Sequence, residues 1–443
     1  MNNKYKDKKV LIFGLGLNQG GVGSAKFFAS LGAKVKVTDL KSAGVLKPST
    51  DELKHFPEIE YNLAQHSNAD IDWADLIIKN PAVKPNNPFI KYALKLGKTI
   101  ETDMGIFLGY IKPSQIIGVT GTKGKSTTSS LIYEILKNAN KNVLMAGNIG
   151  KSVLEIIDKI SSDSLIVLEI SSFQLEALDL YKVSPKWAVI TNITPDHLNY
   201  YSYLQEYIDA KKVIGKFQTR EDSLFLKKAD PITSNPDFIK DFKSKIIYFS
   251  PNELPKGFHS NLKGVHNLQN IAAAFAVSKC FKLDETNTLN ILSQFKGVPF
   301  RMEQIGEWNG VKIINDTAAT SPEAGIYAIE TYPNCILICG GMNKKMDYIK
   351  YADVLARNVK SVFFLEGDST DAILSSLRAK QSNIPTRGPY NNLEKLLSDV
   401  KDVTKAGDII LFSPAATSFN LFQNEFDRGK KFNVAVKKIF KAE

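Results

Sequence analysis

A glycine-rich turn followed by lysine and serine carries the clearest chemistry in this sequence. Residues 116–126 read IIGVTGTKGKS, an apolar strand that gives way to small residues and then to Gly-Lys-Ser. Glycines let backbone N–H groups face an anion, Lys125 offers positive charge to the β- and γ-phosphates of a nucleotide, and the Ser126 hydroxyl can bind Mg²⁺. Val119 stands where the strict Walker A pattern has its first glycine. The predicted ligand is a nucleoside triphosphate, and a chance glycine-rich turn is the alternative.

A second glycine-rich turn, near the N-terminus, predicts a diphosphate site. The apolar run 10–13 is followed by GLGLNQGGVG, a helix expected near 24–31 and a strand over 34–38 that ends at Asp39. This order is typical of a Rossmann-like unit, whose helix N-terminus faces a phosphate. Extra residues before Gly23 distort the GxGxxG spacing. The residues alone therefore leave a dinucleotide and another nucleotide diphosphate equally open.

Polar residues at the ends of two further predicted strands indicate a metal or phosphate site. Glu169 ends the apolar run 165–168, and His197 follows the run 187–191. Because the carboxyl ends of parallel strands face the ligand crevice, both are expected near the phosphate loop, where they could bind Mg²⁺. A helix cap and a surface histidine are the ordinary alternatives.

Two basic residues also have positions that suit phosphate chemistry. Lys211 falls on the inward face of a helix predicted over 203–218, where an inward lysine usually extends its charged end to solvent. Arg301 follows a predicted linker and could contact a phosphate during transfer, with a surface arginine as the alternative.

The elements that must position these residues alternate short apolar strands with amphipathic helices, a pattern typical of parallel α/β sheets. The chain of 443 residues exceeds one ordinary core, and periodicity breaks at 110–113 and 296–299. We expect three domains: an N-terminal Rossmann-like domain (1–112), a central P-loop ATPase-like parallel sheet (113–297) and a C-terminal Rossmann-like domain (298–443).

The composition of the chain limits the classes of molecule that it is expected to bind. The net charge of +11 suits small polyanionic substrates, and the basic residues are scattered without a nucleic-acid-binding motif, so no nucleic acid is expected. Cys280, Cys335 and Cys339 form no CxxC pair, which favours reduced, mostly buried thiols in a cytoplasmic protein. No signal peptide and no apolar run near a membrane span is found, so a soluble protein without a membrane partner is expected.

Nine motifs, in order, resemble the Mur ligase family over nearly the whole chain. They are VTGTKGKST (119–127), GNIG (147–150), LEISSFQLE (168–176), TNITPDHLN (191–199), DAK (209–211), GVHNLQNIAAA (264–274), PFRME (299–303), IND (314–316) and SPAATSFNLFQNEFDRG (413–429). The resemblance is strongest to the branch that adds glutamate, the second amino acid of the peptidoglycan stem. It implies a monomeric, cytoplasmic, ATP-dependent amide ligase of cell-wall biosynthesis that works through an acyl phosphate.

The resemblance also implies site residues. Those for ATP are Gly121, Thr122, Lys123, Gly124, Lys125, Ser126, Thr127, Asn267 and Asn270 (adenine end), and Arg301 and Asp316 (phosphate and ribose). Those for substrates are Leu17 and Asn18 (diphosphate), Asp39, Leu40 and Lys41 (uracil), Asn148 and His197 (sugar nucleotide), and Thr320, Lys344 and Ser418 (amino acid). Two Mg²⁺ ions are assigned to Ser126, Glu169, His197 and a carbamylated Lys211. The implied catalytic residues are Lys125, Lys211, His197 and Arg301. Carbamylation would turn a cation beside Mg²⁺ into an anion.

Two departures from the family pattern fall on the expected amino-acid pocket. Ala318 stands where the family has lysine, and Glu425, with Phe426 beside it, stands where the family has an aromatic residue. The expected substrates are UDP-N-acetylmuramoyl-L-alanine and D-glutamate. Addition of L-glutamate to the same nucleotide, another Mur ligase and a folylpolyglutamate synthase remain alternatives, and a Rossmann oxidoreductase and a nucleic-acid-stimulated ATPase are less favoured.

Overall fold

The computed structural model describes residues 4–17, 19–149, 152–196, 200–201, 203–262, 264–343, 346–418 and 421–441. The chain divides into two compact units, Met1–Phe295 and Lys296–Glu443. The division falls next to the predicted break at 296–299, whereas the predicted boundary at 112 lies inside the first unit.

The first unit begins with a five-stranded parallel sheet in the order β3-β2-β1-β4-β5. Its strands are β1 (Lys9–Phe13), β2 (Lys34–Asp39), β3 (Glu60–Leu63), β4 (Leu76–Lys79) and β5 (Thr99–Glu101). Its helices are α1 (Gln19–Ser30), α2 (Ala43–Asp51), α3 (Asn68–Trp73), α4 (Pro88–Lys95) and α5 (Asp103–Leu108). The strand order reverses direction between β1 and β4, which is where open α/β sheets bind ligands.

The second sheet of this unit has six parallel strands in the order β11-β10-β9-β6-β8-β7. They are β6 (Ile116–Thr120), β7 (Val143–Gly147), β8 (Leu165–Glu169), β9 (Trp187–Ile190), β10 (Ser223–Lys227) and β11 (Lys245–Phe249). The helices are α6 (Lys125–Asn138), α7 (Leu175–Tyr181), α8 (Leu204–Lys216), α9 (Pro236–Ile239), α10 (Val265–Lys279) and α11 (Glu285–Gln294), and a 3-10 helix spans Val153–Lys159. Strands β6 and β8 are buried over most of their length, as expected for a sheet covered on both faces.

The two sheets of the first unit share one hydrophobic cluster. Helix α5 contacts both the 3-10 helix Val153–Lys159 and α7, and Phe107 on α5 is fully buried. The same cluster includes Leu168 from β8 and Leu175 from α7. Burying a side chain the size of Phe107 stabilises a fold by about 1.5–3 kcal/mol. This shared core explains why residues 1–112 do not separate from the rest of the unit.

The second unit holds a six-stranded sheet in the order β12-β13-β17-β14-β15-β16, parallel except for the antiparallel pair β12–β13. The strands are β12 (Glu303–Trp308), β13 (Val311–Asn315), β14 (Cys335–Gly340), β15 (Val359–Leu365), β16 (Thr386–Tyr390) and β17 (Ile409–Phe412). The helices are α12 (Pro322–Thr331), α13 (Ile349–Asn358), α14 (Asp368–Ala379), α15 (Leu393–Val403) and α16 (Glu425–Phe440).

The expectation of an α/β protein built on parallel sheets is confirmed. Cys335 and Cys339 are buried, whereas Cys280 is exposed. Among the helices of the described ranges, none combines the length and the apolar character needed to cross a membrane.

Candidate active site

The phosphate loop connects the end of β6 to the start of α6, as the sequence predicts. Gly121 and Gly124 have φ angles of +146° and +86°, backbone conformations that L side chains rarely adopt. A Cβ at Gly121 would collide with the Thr191 hydroxyl, and one at Gly124 would collide with the amide oxygen of Asn270. Both positions therefore require glycine for conformation and for space.

The segment after β9 holds this loop in place through hydrogen bonds. The Thr122 N–H donates to the Asn192 carbonyl at 3.0 Å, and the Lys123 N–H donates to Asn192 Oδ1 at 3.0 Å. Thr191 Oγ1 donates to the Lys123 carbonyl at 2.6 Å. The TNIT part of the motif at 191–199 thus fixes the backbone of the loop.

Two lysines converge on one carbonyl of the loop. Lys125 Nζ donates to the carbonyls of Gly121 at 2.9 Å and Thr122 at 3.1 Å, and Lys211 Nζ donates to the same Gly121 carbonyl at 3.0 Å. Lys211 is only 1% exposed. Burial lowers its pKa well below the usual value, the positive charge of Lys125 lowers it further, and Asp196 opposes the shift. The neutral amine that burial favours is the form that reacts with CO₂ to give a carbamate.

Glu169 supplies a buried carboxylate on the strand next to β6. It is 1% exposed, and Oε1 accepts a hydrogen bond from Asn148 Nδ2 at 3.0 Å. Oε2 is buried without a hydrogen-bond partner among the described residues. An unpaired buried carboxylate oxygen is costly, and a cation would compensate it. Glu169 therefore fits the predicted role of a Mg²⁺ ligand.

The backbone around Glu169 is equally constrained. The Asn148 N–H donates to the Glu169 carbonyl at 2.8 Å. A Cβ at Gly147, whose φ is +106°, would collide with that carbonyl oxygen. Across the described ranges, no group of three or more His, Cys, Asp or Glu side chains is placed to hold a metal ion. A Mg²⁺ site here would need other donors as well, such as the Ser126 hydroxyl or a carbamate on Lys211.

The N-terminal glycine-rich turn is supported by Asp39 at the end of β2. Its buried carboxylate accepts from the Gly16 N–H and from the Lys41 N–H, each at 2.9 Å. Leu40 is exposed, and Leu17 is half-buried on the turn. The structure thus gives Asp39 a structural role in the turn, and the predicted contacts of these residues with UDP stay predictions.

Asn270 belongs to α10, and its side chain lies beside the end of α6 that follows the phosphate loop. Its Oδ1 accepts from Thr128 Oγ1 at 3.4 Å, and its Nδ2 donates to Asn267 Oδ1 at 3.3 Å. Helix α10, which carries both asparagines, packs against α6. The predicted contact of these residues with adenine stays a prediction.

The second unit contains a buried carboxylate at the end of β13. Asp316 accepts from Ser413 Oγ at 2.8 Å and from the Met302 N–H at 3.1 Å. Burial raises its pKa to about 7, although these two hydrogen bonds and the charges of Arg301 and Arg428 act in the opposite direction. Arg301 itself is exposed.

Two of the predicted amino-acid-binding residues, Thr320 and Ser418, follow the ends of β13 and β17. Ser418 is buried, and its Oγ has no hydrogen-bond partner in the described part of the chain. Thr320 is half-buried. The predicted residues Asn18, His197 and Lys344 lie outside the described residues.

Arg428 lies within the motif at 413–429, and its sequence pattern predicts no role for it. The side chain is fully buried, and its guanidinium donates to the hydroxyl and carbonyl of Thr317 and to the carbonyl of Ala416, at 2.8, 2.8 and 3.0 Å. Burial lowers its pKa to about 9, against the opposing charges of Glu425 and Asp316. Arg428 therefore joins the segments that follow β13 and β17, beside Ala318. An arginine in the first turns of an otherwise amphipathic helix gives no sequence signal of burial.

Comparisons with known proteins agree with these features. Three family models match the chain: a Mur ligase MurD-like N-terminal domain at residues 8–102, the Mur ligase middle domain at 119–256 and the Mur ligase glutamate ligase domain at 300–416. The chain is 35% identical to the UDP-N-acetylmuramoylalanine–D-glutamate ligase of Roseiflexus sp. (strain RS-1), with 96% of this chain and 97% of the relative covered. The corresponding ligase of Clostridioides difficile (strain 630) is 34% identical, with 96% and 98% covered.

A solved structure supports the same fold. The UDP-N-acetylmuramate–alanine ligase MurC of Thermotoga maritima matches with a TM-score of 0.64 at 21% identity, with 97% of this chain and 99% of that chain covered.

Proposed function

The chain belongs to the Mur ligase family, and we propose that it joins D-glutamate to UDP-N-acetylmuramoyl-L-alanine with the hydrolysis of ATP to ADP and phosphate. The observation that carries the proposal is the phosphate loop on which Lys125 and Lys211 converge, in the same sheet as the buried carboxylate of Glu169. The relatives that are 34–35% identical over nearly the whole chain bear the name of this ligase.

In the first step, the terminal carboxylate of the nucleotide substrate attacks the γ-phosphorus of ATP. The bond to the β,γ-bridging oxygen breaks, ADP leaves, and an acyl phosphate forms. Lys125 would move from the loop carbonyls to the phosphates and neutralise charge there, because an ammonium group already beside the loop needs only a side-chain rotation to reach them.

In the second step, the amine of glutamate attacks the acyl carbon. The carbon–oxygen bond to phosphate breaks, phosphate leaves, and the proton that the amine loses as the amide forms passes to the departing phosphate. Thr320, Lys344 and Ser418 are proposed to hold the amino acid, and the buried Ser418 hydroxyl is an available hydrogen-bonding group for it.

Mg²⁺ would be held by Ser126, Glu169, His197 and Lys211 in carbamylated form, and it would supply positive charge beside the transferred phosphoryl group. Glu169 is suited to this role by its unpaired Oε2. Lys211 is suited to carbamylation by its burial. A monomeric state and a cytoplasmic location complete the proposal and rest on the sequence.

The test is release of phosphate from ATP with UDP-N-acetylmuramoyl-L-alanine and D-glutamate, L-glutamate or no amino acid, with the product identified by mass. We expect release and a glutamyl adduct only with D-glutamate. An L-glutamate adduct would assign Ala318 and Glu425 to a pocket of altered stereochemistry. Absence of turnover with both amino acids would refute the proposal.

A pair of lysine variants on α6 tests the role of the loop. Lys125→Ala should lower turnover by about 100- to 1,000-fold, the cost of removing one group that stabilises transition-state charge. Lys137→Ala, at the exposed far end of the same helix, should leave turnover unchanged. Equal turnover in both variants would contradict the assignment of Lys125.

A further inference from the structure

A series of contacts joins the glycine-rich turn of the first sheet to the phosphate loop of the second, through side chains except for the backbone step from Asn80 to Lys79. Its members are Lys79, Glu176, Tyr200, Tyr201 and Tyr207, and we call them the tyrosine bridge. None of them is among the residues that the sequence assigned to a ligand.

The bridge begins beside the glycine-rich turn. Lys79 is the last residue of β4, at the point where the strand order reverses. Its Nζ donates to the Val83 carbonyl at 2.8 Å, and the next residue, Asn80, donates from Nδ2 to the Gly14 carbonyl at 3.2 Å. Asn80 therefore connects the Gly14 turn to the segment that carries Lys79.

Glu176 connects this segment to the second sheet. Its Oε2 lies 3.6 Å from Lys79 Nζ, and its Oε1 accepts from the Tyr200 hydroxyl at 2.8 Å. Lys79 is 8% exposed, and burial lowers its pKa while Glu176 opposes the shift. The carboxylate is thus shared between a buried cation and a phenol, which links the two partners through one side chain.

Aromatic rings carry the contacts onward to the loop. The ring centroids of Tyr200 and Tyr201 are 5.0 Å apart, and those of Tyr201 and Tyr207 are 5.3 Å apart. The Tyr207 hydroxyl lies 3.1 Å from Thr122 Oγ1, and Lys211 Nζ lies 4.6 Å from the centre of the Tyr207 ring. The bridge therefore ends at the phosphate loop and at Lys211, the buried lysine of α8 that contacts the loop.

We propose that the tyrosine bridge couples the two nucleotide sites, so that a sugar nucleotide at the Gly14 turn and a nucleoside triphosphate at the phosphate loop each strengthen the binding of the other. A ligand that orders the turn fixes Lys79 and, through Glu176, the tyrosines. The second ligand then has less conformational freedom to remove when it binds. The inference rests on the proposed function for the identity of the two ligands.

The test measures binding by calorimetry without turnover. The non-hydrolysable analogue AMP-PNP is titrated with Mg²⁺ in the presence and absence of UDP-N-acetylmuramoyl-L-alanine, and the titration is repeated in the opposite order, since the coupling must be reciprocal. Tyr200→Phe removes only a hydroxyl, and Glu176→Gln keeps an acceptor for Tyr200 but removes the charge that faces Lys79. The control is Tyr92→Phe, which removes a hydroxyl that donates to Asp72 at 3.0 Å on the surface of the same unit.

In the wild-type protein and in the control, we expect each ligand to increase the affinity for the other about fivefold or more. This factor lies within the usual range of coupling between sites. In Tyr200→Phe and Glu176→Gln the factor should fall below about twofold, while the affinity for each ligand alone changes less than about threefold. Thermal unfolding confirms that each variant is folded.

Three results would overturn the inference. The first is an absence of coupling in the wild-type protein, and the second is coupling that persists in both bridge variants. The third is a loss of affinity for one ligand, measured without the other ligand, that is as large as the loss of coupling, because this would mark a merely local role. Failure of the wild-type protein to bind UDP-N-acetylmuramoyl-L-alanine at all would instead overturn the proposed function.

Discussion

Substitution of the buried Asp316 by asparagine should remove a loss of stability that the second unit undergoes as the pH rises to about 7. Its folded-state pKa of about 7 lies above the ordinary value of 3.8. The unfolded chain therefore releases this proton near pH 4, whereas the folded chain keeps it until about pH 7. The stability that the protonated carboxyl contributes is complete below pH 4 and is lost as the pH rises to about 7.

The size of the effect follows from the shift. Each pKa unit corresponds to about 1.4 kcal/mol, so the two units between pH 5 and pH 7 amount to about 3 kcal/mol. Asp316→Asn does not ionise; its single amide oxygen can accept from the Met302 N–H, and its NH₂ can donate to the Ser413 hydroxyl oxygen. The free energy of unfolding of Asp316→Asn should therefore gain about 3 kcal/mol on that of the wild-type protein between pH 5 and pH 8.

Urea unfolding followed by tryptophan fluorescence can isolate this unit. Of the three tryptophans, only Trp308 lies in the second unit, so the comparison is made in a background with Trp73→Phe and Trp187→Phe. Asp402→Asn, which alters an exposed carboxylate on α15, should shift the free energy by less than about 0.5 kcal/mol at either pH. If the free energy of unfolding of Asp316→Asn minus that of its parent stays constant or decreases from pH 5 to pH 8, the reasoning is refuted.

Three further predictions concern the phosphate-loop sheet. Glu169→Gln, which keeps a partner for Asn148 but removes the charge, should raise the Mg²⁺ concentration for half-maximal phosphate release at least about tenfold; an unchanged Mg²⁺ titration would exclude Glu169 as a ligand. Lys211→Met should abolish turnover without loss of thermal stability, because it replaces a buried amine with an apolar group. ¹³C NMR after incubation with ¹³C-bicarbonate should show a carbamate signal in the wild-type protein and none in the variant. A wild-type spectrum without that signal would count against carbamylation. Gly147→Ala should lower both the melting temperature and turnover because its methyl group meets the Glu169 carbonyl, whereas Gly44→Ala, whose methyl group meets nothing within 4 Å, should not lower the melting temperature; equal melting temperatures would contradict the steric argument.

Local features of the fold could be predicted from the sequence because they depend on neighbouring residues. The apolar run before Gly121 and the helix that starts at Lys125 follow from periodicity and from the glycines. The predicted helix over 203–218 is observed as Leu204–Lys216, with Lys211 buried. The fold class could be predicted from the alternation of strands and helices, and the family from motifs in a fixed order.

Long-range contacts could not be predicted in this way. The hydrogen bond from Lys211 to the Gly121 carbonyl joins residues 90 positions apart, and the unpaired Oε2 of Glu169 is defined only by its surroundings. The break at 110–113 indicates a linker locally, but Ile111 is buried in the core that the first two sheets share. Proline and glycine mark an interruption of periodicity and do not report whether the adjacent apolar side chains pack across it.

The core shared by the first two sheets limits how this enzyme can be recombined. Residues 1–112 cannot be exchanged for those of a relative as an independent module, because Phe107 and its neighbours would meet an interface shaped for other side chains. A junction near residue 296, between the two compact units, avoids that core. If the second unit holds the amino acid and the turns of the first sheet hold the sugar nucleotide, as proposed, chimeras with a new amino-acid specificity should be joined near residue 296, and a new nucleotide specificity should be sought by substitutions within those turns.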